Sequence, residues 1–310
     1  MPATPHEASA PVCGRFAPSP SGPLHFGSLV AALASWLSAR HAGGHWLLRM
    51  EDIDPPREVP GAADSILRSL ERLGLTWDGP VLYQRTRRDA YQAALEQLQA
   101  DGHVFACGCN RKQIAAAGLR GPEGPVYPGT CRNGLPPGRS MRMLRVRVTD
   151  RDICFDDRCQ GRQRQNLARD TGDFVVLRFD GIHAYQLAVV VDDAWQGITE
   201  VVRGCDLLLS TGRQIWLQEL LGLPRPGYLH IPLAVRHDGP KLSKRAGDAP
   251  LDQWPPGELL AHALRFLGQP VPDEYAPDAT MPLLDFALSR WNPERIPSRR
   301  RLPAPAIPLP

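Results

Sequence analysis

Arg15-Phe16-Ala17-Pro18-Ser19-Pro20-Ser21-Gly22-Pro23-Leu24-His25-Phe26-Gly27-Ser28 carries the chain from an apolar segment through a Pro/Gly loop into a helix. Residues 13–17 read as a short buried strand that Pro18-Ser19-Pro20 breaks. A helix is expected from about Leu24, because Leu29, Val30, Leu33, Trp36 and Leu37 recur at helical spacing up to Gly43-Gly44. Residues 46–50 read as a second strand with Glu51-Asp52-Ile53-Asp54 at its carboxyl end, and helices are expected over 62–73, stopped at Gly74, and 87–99. Strand, loop, helix, strand, helix is the pattern of an α/β fold with a parallel sheet, whose ligands sit at the carboxyl ends of the strands. Arg15, Ser19, His25 and Glu51 all fall at that edge. A helix N-terminus there offers unpaired N–H groups to an anion, Gly22 and Gly27 let a phosphate or a ring approach the backbone, and His25 can donate to the same anion. Taken alone, the loop also fits an ordinary capped turn.

A second segment, Lys241-Leu242-Ser243-Lys244-Arg245, stands far along the chain. Of 36 basic residues only Lys112, Lys241 and Lys244 are lysines, so two of the three share one pentapeptide. Where Arg serves almost everywhere else, that pair suggests a need for a compact ammonium on a flexible stem. Together the two segments read as a split ATP site.

Residues 1–12 read as a disordered leader, and 298–310, with three arginines and four prolines, as a frayed tail. Between them the expected organisation is a first catalytic half at 13–106, an insertion at 107–170 that breaks the alternation, a second half at 171–245 and a short helical extension at 246–297. In the second half, apolar runs at 184–191 and 198–203 precede a helix at 208–221 and a strand-like run at 228–235; a helix is expected around 258–267. Asp192 and Asp193 read as caps closing a strand at 187–191.

The net charge of +3 permits a nucleic-acid partner without demanding one. Locally, residues 132–169 hold ten arginines against four acids, a basic field or a solvated face. No stretch is apolar enough to span a bilayer, and residues 1–11 lack the apolar core of a secretory signal. Seven cysteines, two of them in Cys107-Gly108-Cys109, fit a reduced cytoplasmic compartment better than a disulfide framework. With Cys131 they supply three thiolates for zinc, and Tyr127, His103, Cys154 or Cys159 are the candidate fourth ligands; three buried free thiols is the alternative. The sequence assigns no role to Cys13, Cys154, Cys159 or Cys205.

The first segment resembles the "HIGH" region, and the second the "KMSKS" loop, of class I aminoacyl-tRNA synthetases of the glutamyl type. The resemblance runs from Cys13 to Arg245 and implies a Rossmann-like sheet in which an amino-acid carboxylate attacks the α-phosphorus of ATP, brought in with Mg2+, and pyrophosphate leaves. It implies that His25 and Lys244 stabilise the transferring phosphate with help from Lys241, and that Gly22, Gly27 and Ser28 border the nucleotide. Ser28 replaces the second His of the family pattern, and Leu242 and Arg245 replace Met and Ser. Glutamate carries two carboxylates and one ammonium, so its pocket calls for about two Arg forks and an acid. By resemblance Arg203 and Tyr185 read the side-chain carboxylate, Arg15 and Ser19 hold the other polar groups, and Glu51 takes the ammonium. The competing assignment pairs Glu51, Asp52 and Asp54 with Arg49 and Arg57 in a surface network.

Cys-x-Cys followed by Tyr127-Pro128-Gly129-Thr130-Cys131 is similar to the structural zinc site of a shortened branch of the family, the glutamyl-Q tRNA(Asp) synthetases, and implies one Zn2+ per chain on Cys107, Cys109, Tyr127 and Cys131. The 65 residues after Arg245 are too few for the helical anticodon-gripping domain of a full glutamyl enzyme, which points to the same branch. Such enzymes activate L-glutamate without tRNA and pass it to queuosine in the anticodon of tRNA(Asp), with the Arg-rich stretch meeting RNA phosphates. A monomer without membrane association is expected. A glutamate-adenylating enzyme with another acceptor, such as a cut-down glutamyl-tRNA ligase, and a non-catalytic RNA-binding paralogue are the other two readings. The four residues His25, Lys244, Arg203 and Glu51 together argue against the last.

Overall fold

The computed structural model describes residues 11–235 and 251–305. Most of the expected leader, with Lys241 and Lys244, lies outside the described residues.

Strand β1 (Cys13–Phe16) is followed by helix α1 (Phe26–His41) and by β2 (His45–Met50), which pairs parallel with β1. Helix α1 starts later than Leu24 because His25 is its N-cap, with extended backbone and a ring nitrogen accepting the Ser28 N–H. It is buried on almost every side, which is why its apolar residues are not confined to one stripe. Helix α2 (Ala62–Arg72) instead buries only Ala62, Ile66 and Leu70, one face at four-residue spacing. Strand β3 (Leu82–Tyr83) adds in parallel to β2, and α3 (Arg88–Ala100) follows.

The strands of the expected insertion fall in three sheets. Its first part contains β4 (Val104–Cys107), α4 (Arg111–Ala116), the short pair β5 (Arg120–Gly121) and β6 (Gly124–Pro125), and β7 (Met143–Val146). Strands β8 (Asp152–Asp157) and β9 (Gly161–Asn166) then make a hairpin, closed at Gly161 with φ of 69°, before α5 (Leu167–Asp170) and β10 (Phe174–Leu177). Strands β10, β7 and β4 form a small antiparallel sheet, whereas β8 and β9 join the catalytic sheet. The polar, Arg-rich appearance of 152–166 conceals this, because only alternate residues such as Ile153, Phe155 and Asp157 point inward.

Residues 185–191 are not a strand: they lie in α6 (Tyr185–Trp195), with Ala184 as its N-cap. A short apolar run buried on several sides carries no visible period, so strand and helix look alike in sequence. The sheet continues with β11 (Glu200–Gly204), α7 (Ser210–Leu221) and β12 (Gly227–Ile231), and Pro232 separates β12 from β13 (Leu233–Val235). Helices α8 (Pro256–Phe266) and α9 (Met281–Arg290) pack near α1. The tail is not frayed throughout, because β14 (Arg301–Pro303) pairs parallel with β13.

Thr199 donates its N–H to the Cys13 carbonyl at 2.9 Å, setting β1 beside the start of β11. With β11-β12-β8-β9 on one side and β1-β2-β3 on the other, this gives the doubly wound order β3-β2-β1-β11-β12, extended by β8 and β9. The order reverses between β1 and β11, and the carboxyl ends at such a switch point are where a doubly wound sheet takes its ligand. No helix among the described residues is long and apolar enough to cross a membrane.

Candidate active site

Three strands and one helix bring charge to that switch point. Arg15, near the end of β1, is buried and donates from Nε to Asp193 Oδ1 at 3.1 Å. Arg49, near the end of β2, is fully buried and donates from Nη2 to the same oxygen at 2.7 Å and from Nη1 to Gln196 Oε1 at 2.6 Å. Asp193 is therefore a shared counter-ion on α6 and not a strand cap; Arg15 and Arg49 hold its carboxyl below the ordinary range despite burial. Its neighbour Asp192 points elsewhere, accepting from Tyr91 Oη at 2.6 Å and Gln84 Nε2 at 2.9 Å.

Glu51 follows β2, and its N–H donates to the Pro18 carbonyl at 3.0 Å, tying the Pro/Gly loop to the strand end. Its Oε1 lies 3.7 Å from Arg49 Nη2. Burial pushes the Glu51 carboxyl up to about 7, with Asp193 and Asp192 adding and Arg49 and Arg15 opposing. Of the surface-network assignment, the Glu51–Arg49 pair is present but buried, whereas Asp52 accepts the Arg85 N–H and Asp54 pairs with Arg178 at 2.9 Å.

Arg203 on β11 is 5% exposed. Its Nε donates to His230 Nε2 at 2.9 Å and its Nη2 to Thr211 Oγ1 at 2.9 Å, whereas Nη1 is buried without a partner among the described residues. Tyr185 opens α6 within the same group: burial raises its phenol, Glu51 and Asp193 add to the shift, and Arg203 and Arg15 oppose it. The fold thus gathers Arg15, Glu51, Tyr185 and Arg203 around one space. Ser19 stands exposed on the loop, its carbonyl taking the Ser21 N–H, and is not drawn into that group.

At the neighbouring helix start, His25 Nδ1 accepts the Ser28 N–H at 3.2 Å, so Nε2 carries the proton and faces Ser28 Oγ at 3.2 Å. The imidazole is turned onto its own helix, occupying part of the donor capacity expected for an anion. Gly22 adopts a φ of 131°, open in practice to glycine alone. A Cβ at Gly27 would lie 3.3 Å from the His25 ring and 3.9 Å from Ala234 Cβ. Strand β13 therefore runs beside the His25 turn.

Cys107, Cys109 and Cys131 bring their sulfurs within 4.8 Å of one another, all buried. Cys109 Sγ and Cys131 Sγ are 3.7 Å apart, close to the edge of about 3.8 Å in a tetrahedron with Zn–S bonds of about 2.3 Å. Tyr127 Oη lies 3.5 Å from Cys107 Sγ and accepts the Cys131 N–H at 2.8 Å, completing a donor set that fits zinc. Arg145 Nε and Arg139 Nη1 reach Cys107 and Cys109 Sγ at 3.3 and 3.0 Å, as suits thiolates. Among the other candidates, Cys154 is exposed on β8 and Cys159 packs against Ile296 and Pro297 carbonyls. The basic field is partly neutralised in place: Arg132, Arg151, Arg158, Arg162, Arg164 and Arg169 each pair with a carboxylate.

Residues 11–254 match the family model of tRNA synthetases class I (E and Q), catalytic domain. The chain is 53% identical over 299 residues to the glutamyl-Q tRNA(Asp) synthetase of Aromatoleum aromaticum, covering 96% of this chain and 95% of that protein. It is 55% identical to the protein of that name from Ectopseudomonas mendocina, over 93% of this chain and 96% of the relative. The chain belongs to the glutamyl-Q tRNA(Asp) synthetase family, within class I. As a member of that family it is a ligase. Among solved structures, the glutamate tRNA ligase of Elizabethkingia meningosepticum in complex with its amino acid superposes with a TM-score of 0.78 at 25% identity, covering 95% of this chain and 68% of that one. The glutamate-tRNA synthetase of Elizabethkingia anophelis gives 0.77 at 26% identity, covering 94% and 67%.

Proposed function

We propose that the chain activates L-glutamate with MgATP, without requiring tRNA, and transfers the glutamyl group to a hydroxyl of queuosine in the anticodon of tRNA(Asp). The observation that carries this reading is Arg203, a buried guanidinium with one nitrogen unpartnered among the described residues, close enough to Tyr185 to act on its phenol together with Arg15 and Glu51. A buried, cationic N–H fork is the complement of a carboxylate, and an acid opposite it is the complement of an ammonium. The glutamate α-carboxylate then attacks the α-phosphorus of ATP, the new C–O–P linkage forms, and the α–β phosphoanhydride breaks to release pyrophosphate. The protein supplies position and charge, from His25 and from Lys241 and Lys244, and no nucleophile of its own. Glutamate-dependent exchange of labelled pyrophosphate into ATP in the absence of RNA tests the first half, and no exchange would contradict it.

Glu51 gives this reading a pH signature. Below about pH 7 its carboxyl keeps a proton in the empty site, and an arriving ammonium must expel it. The KM for glutamate should therefore rise by about tenfold per pH unit below 7 and level off above it. In Glu51→Gln the KM should be high and flat; a wild-type profile retained in that variant excludes Glu51 as the ammonium acceptor.

One structural zinc per chain belongs to the same reading, held by Cys107, Cys109, Cys131 and Tyr127. When bound, it cross-links the end of β4 to the 127–131 turn and touches no reacting group. Protein purified without chelator should carry about one zinc, and its removal should speed amide exchange in 104–146 while leaving the pyrophosphate-exchange kcat unchanged. Zinc-free protein with the same protection would refute the site.

A further inference from the structure

We propose that Asp157 and His230 are positioning residues that fix the orientation of Arg203, and so set the preference for a carboxylate over an amide in the substrate side chain. The inference rests on the reading that Arg203 receives that carboxylate. The three residues come from adjacent strands: Arg203 on β11 pairs in register with His230 on β12, and Asp157 ends β8 beside Tyr228.

The hydrogen bonds run in one direction. Asp157 Oδ1 takes three backbone N–H groups, from Cys159 at 3.1 Å, Gln160 at 2.8 Å and His230 at 3.1 Å. Its Oδ2 also accepts the His230 N–H at 3.1 Å and faces His230 Nδ1 at 2.5 Å. A carboxylate only accepts, so Nδ1 carries the imidazole proton. The ring is fully buried beside a guanidinium and stays neutral, burial pushing its pKa down to about 4 against the pull of Asp157. Nε2 is therefore a lone-pair acceptor, and the Arg203 Nε–H points at it. Thr211 Oγ1 takes one Nη2 proton, and Tyr228 lies under the guanidinium with its ring centre 5.7 Å from Cζ, stacked on His230. Among the described residues, only Nη1 lacks a protein partner. The guanidinium plane is thus set by His230, Thr211 and Tyr228, and a flat fork held in one plane is what separates two equivalent carboxylate oxygens from an amide.

Asp157→Asn is the discriminating change. Oδ1 of Asn can keep the backbone N–H groups, so its NH2 must face Nδ1, which forces the imidazole proton onto Nε2 and sets N–H against the Arg203 N–H. The same logic of a wrong tautomer with intact geometry is known from catalytic triads. We expect the KM for glutamate to rise on the order of 10- to 100-fold in pyrophosphate exchange, with the KM for ATP unchanged and the preference over glutamine reduced. Nitrogen NMR of His230 should show the proton on Nδ1 in the wild type and on Nε2 in the variant. Adding His230→Gln, whose amide can turn its oxygen to Arg203, should recover part of the lost affinity, whereas a purely structural role makes the double variant worse than Asp157→Asn alone. Should Asp157→Asn not fold, His230→Gln against His230→Leu asks the same question: Gln must retain more glutamate affinity than Leu. Arg203→Gln separates the two claims. If it abolishes activation while Asp157→Asn leaves the KM for glutamate and the selectivity unchanged, the positioning inference is wrong; if Arg203→Gln itself is silent, the pocket reading is wrong.

Discussion

Replacing Arg203 by Gln should reduce kcat/KM for glutamate by about 10²- to 10⁴-fold, the equivalent of the roughly 3–5 kcal/mol typical of removing one partner from a buried charge pair. Gln is shorter and neutral, so the substrate carboxylate would be desolvated without a counter-charge, and His230 Nε2 and Thr211 Oγ1 would lose the donor they now share. The loss should fall on glutamate and spare the KM for ATP. Activity with wild-type selectivity in this variant would mean that the carboxylate lies elsewhere.

Lys244→Ala should lower the rate of adenylate formation by about 10²- to 10³-fold, the usual effect of removing one preorganised donor to developing charge. The expectation is sharpened by what the structure shows at the other half of the split site. His25 spends Nδ1 on the Ser28 N–H and turns Nε2 to Ser28 Oγ, and Ser28 occupies the place where the family pattern has a second His. Less positive charge is then offered from the helix start, and more of the stabilisation falls to the lysines of 241–245. An unchanged glutamate-dependent exchange rate in Lys244→Ala contradicts this division of labour.

The parallel sheet was legible because its first half is locally consistent: a strand broken by proline, a helix with clear spacing, and acids at the next strand end all state the same fold. Arg15, Glu51, Tyr185 and Arg203 were named through chemistry and resemblance, and the fold brings them near one another. Asp193 was not legible as a site residue, since its partners Arg15 and Arg49 are far away in sequence and the run before it looked like a strand. Two adjacent acids in a helix point about 100° apart, so Asp192 and Asp193 serve different neighbours, a signal that appears only once 185–195 is read as helix. His230 was likewise hidden, because a lone His in an apolar run says nothing until its register opposite Arg203 is known. The charge balance of the Arg-rich stretch was only partly legible: sequence counts its arginines, but several of their acidic partners, Asp173, Glu200 and Glu219, come from outside it.

The most direct measurement offers radiolabelled glutamate and ATP to the wild-type protein with tRNA(Asp) that contains queuosine and tRNA(Asp) that lacks it, alongside tRNA(Glu). The account predicts label on the queuosine-containing tRNA(Asp) alone. Label on the 3′ end of tRNA(Glu), or on no RNA at all, would contradict it.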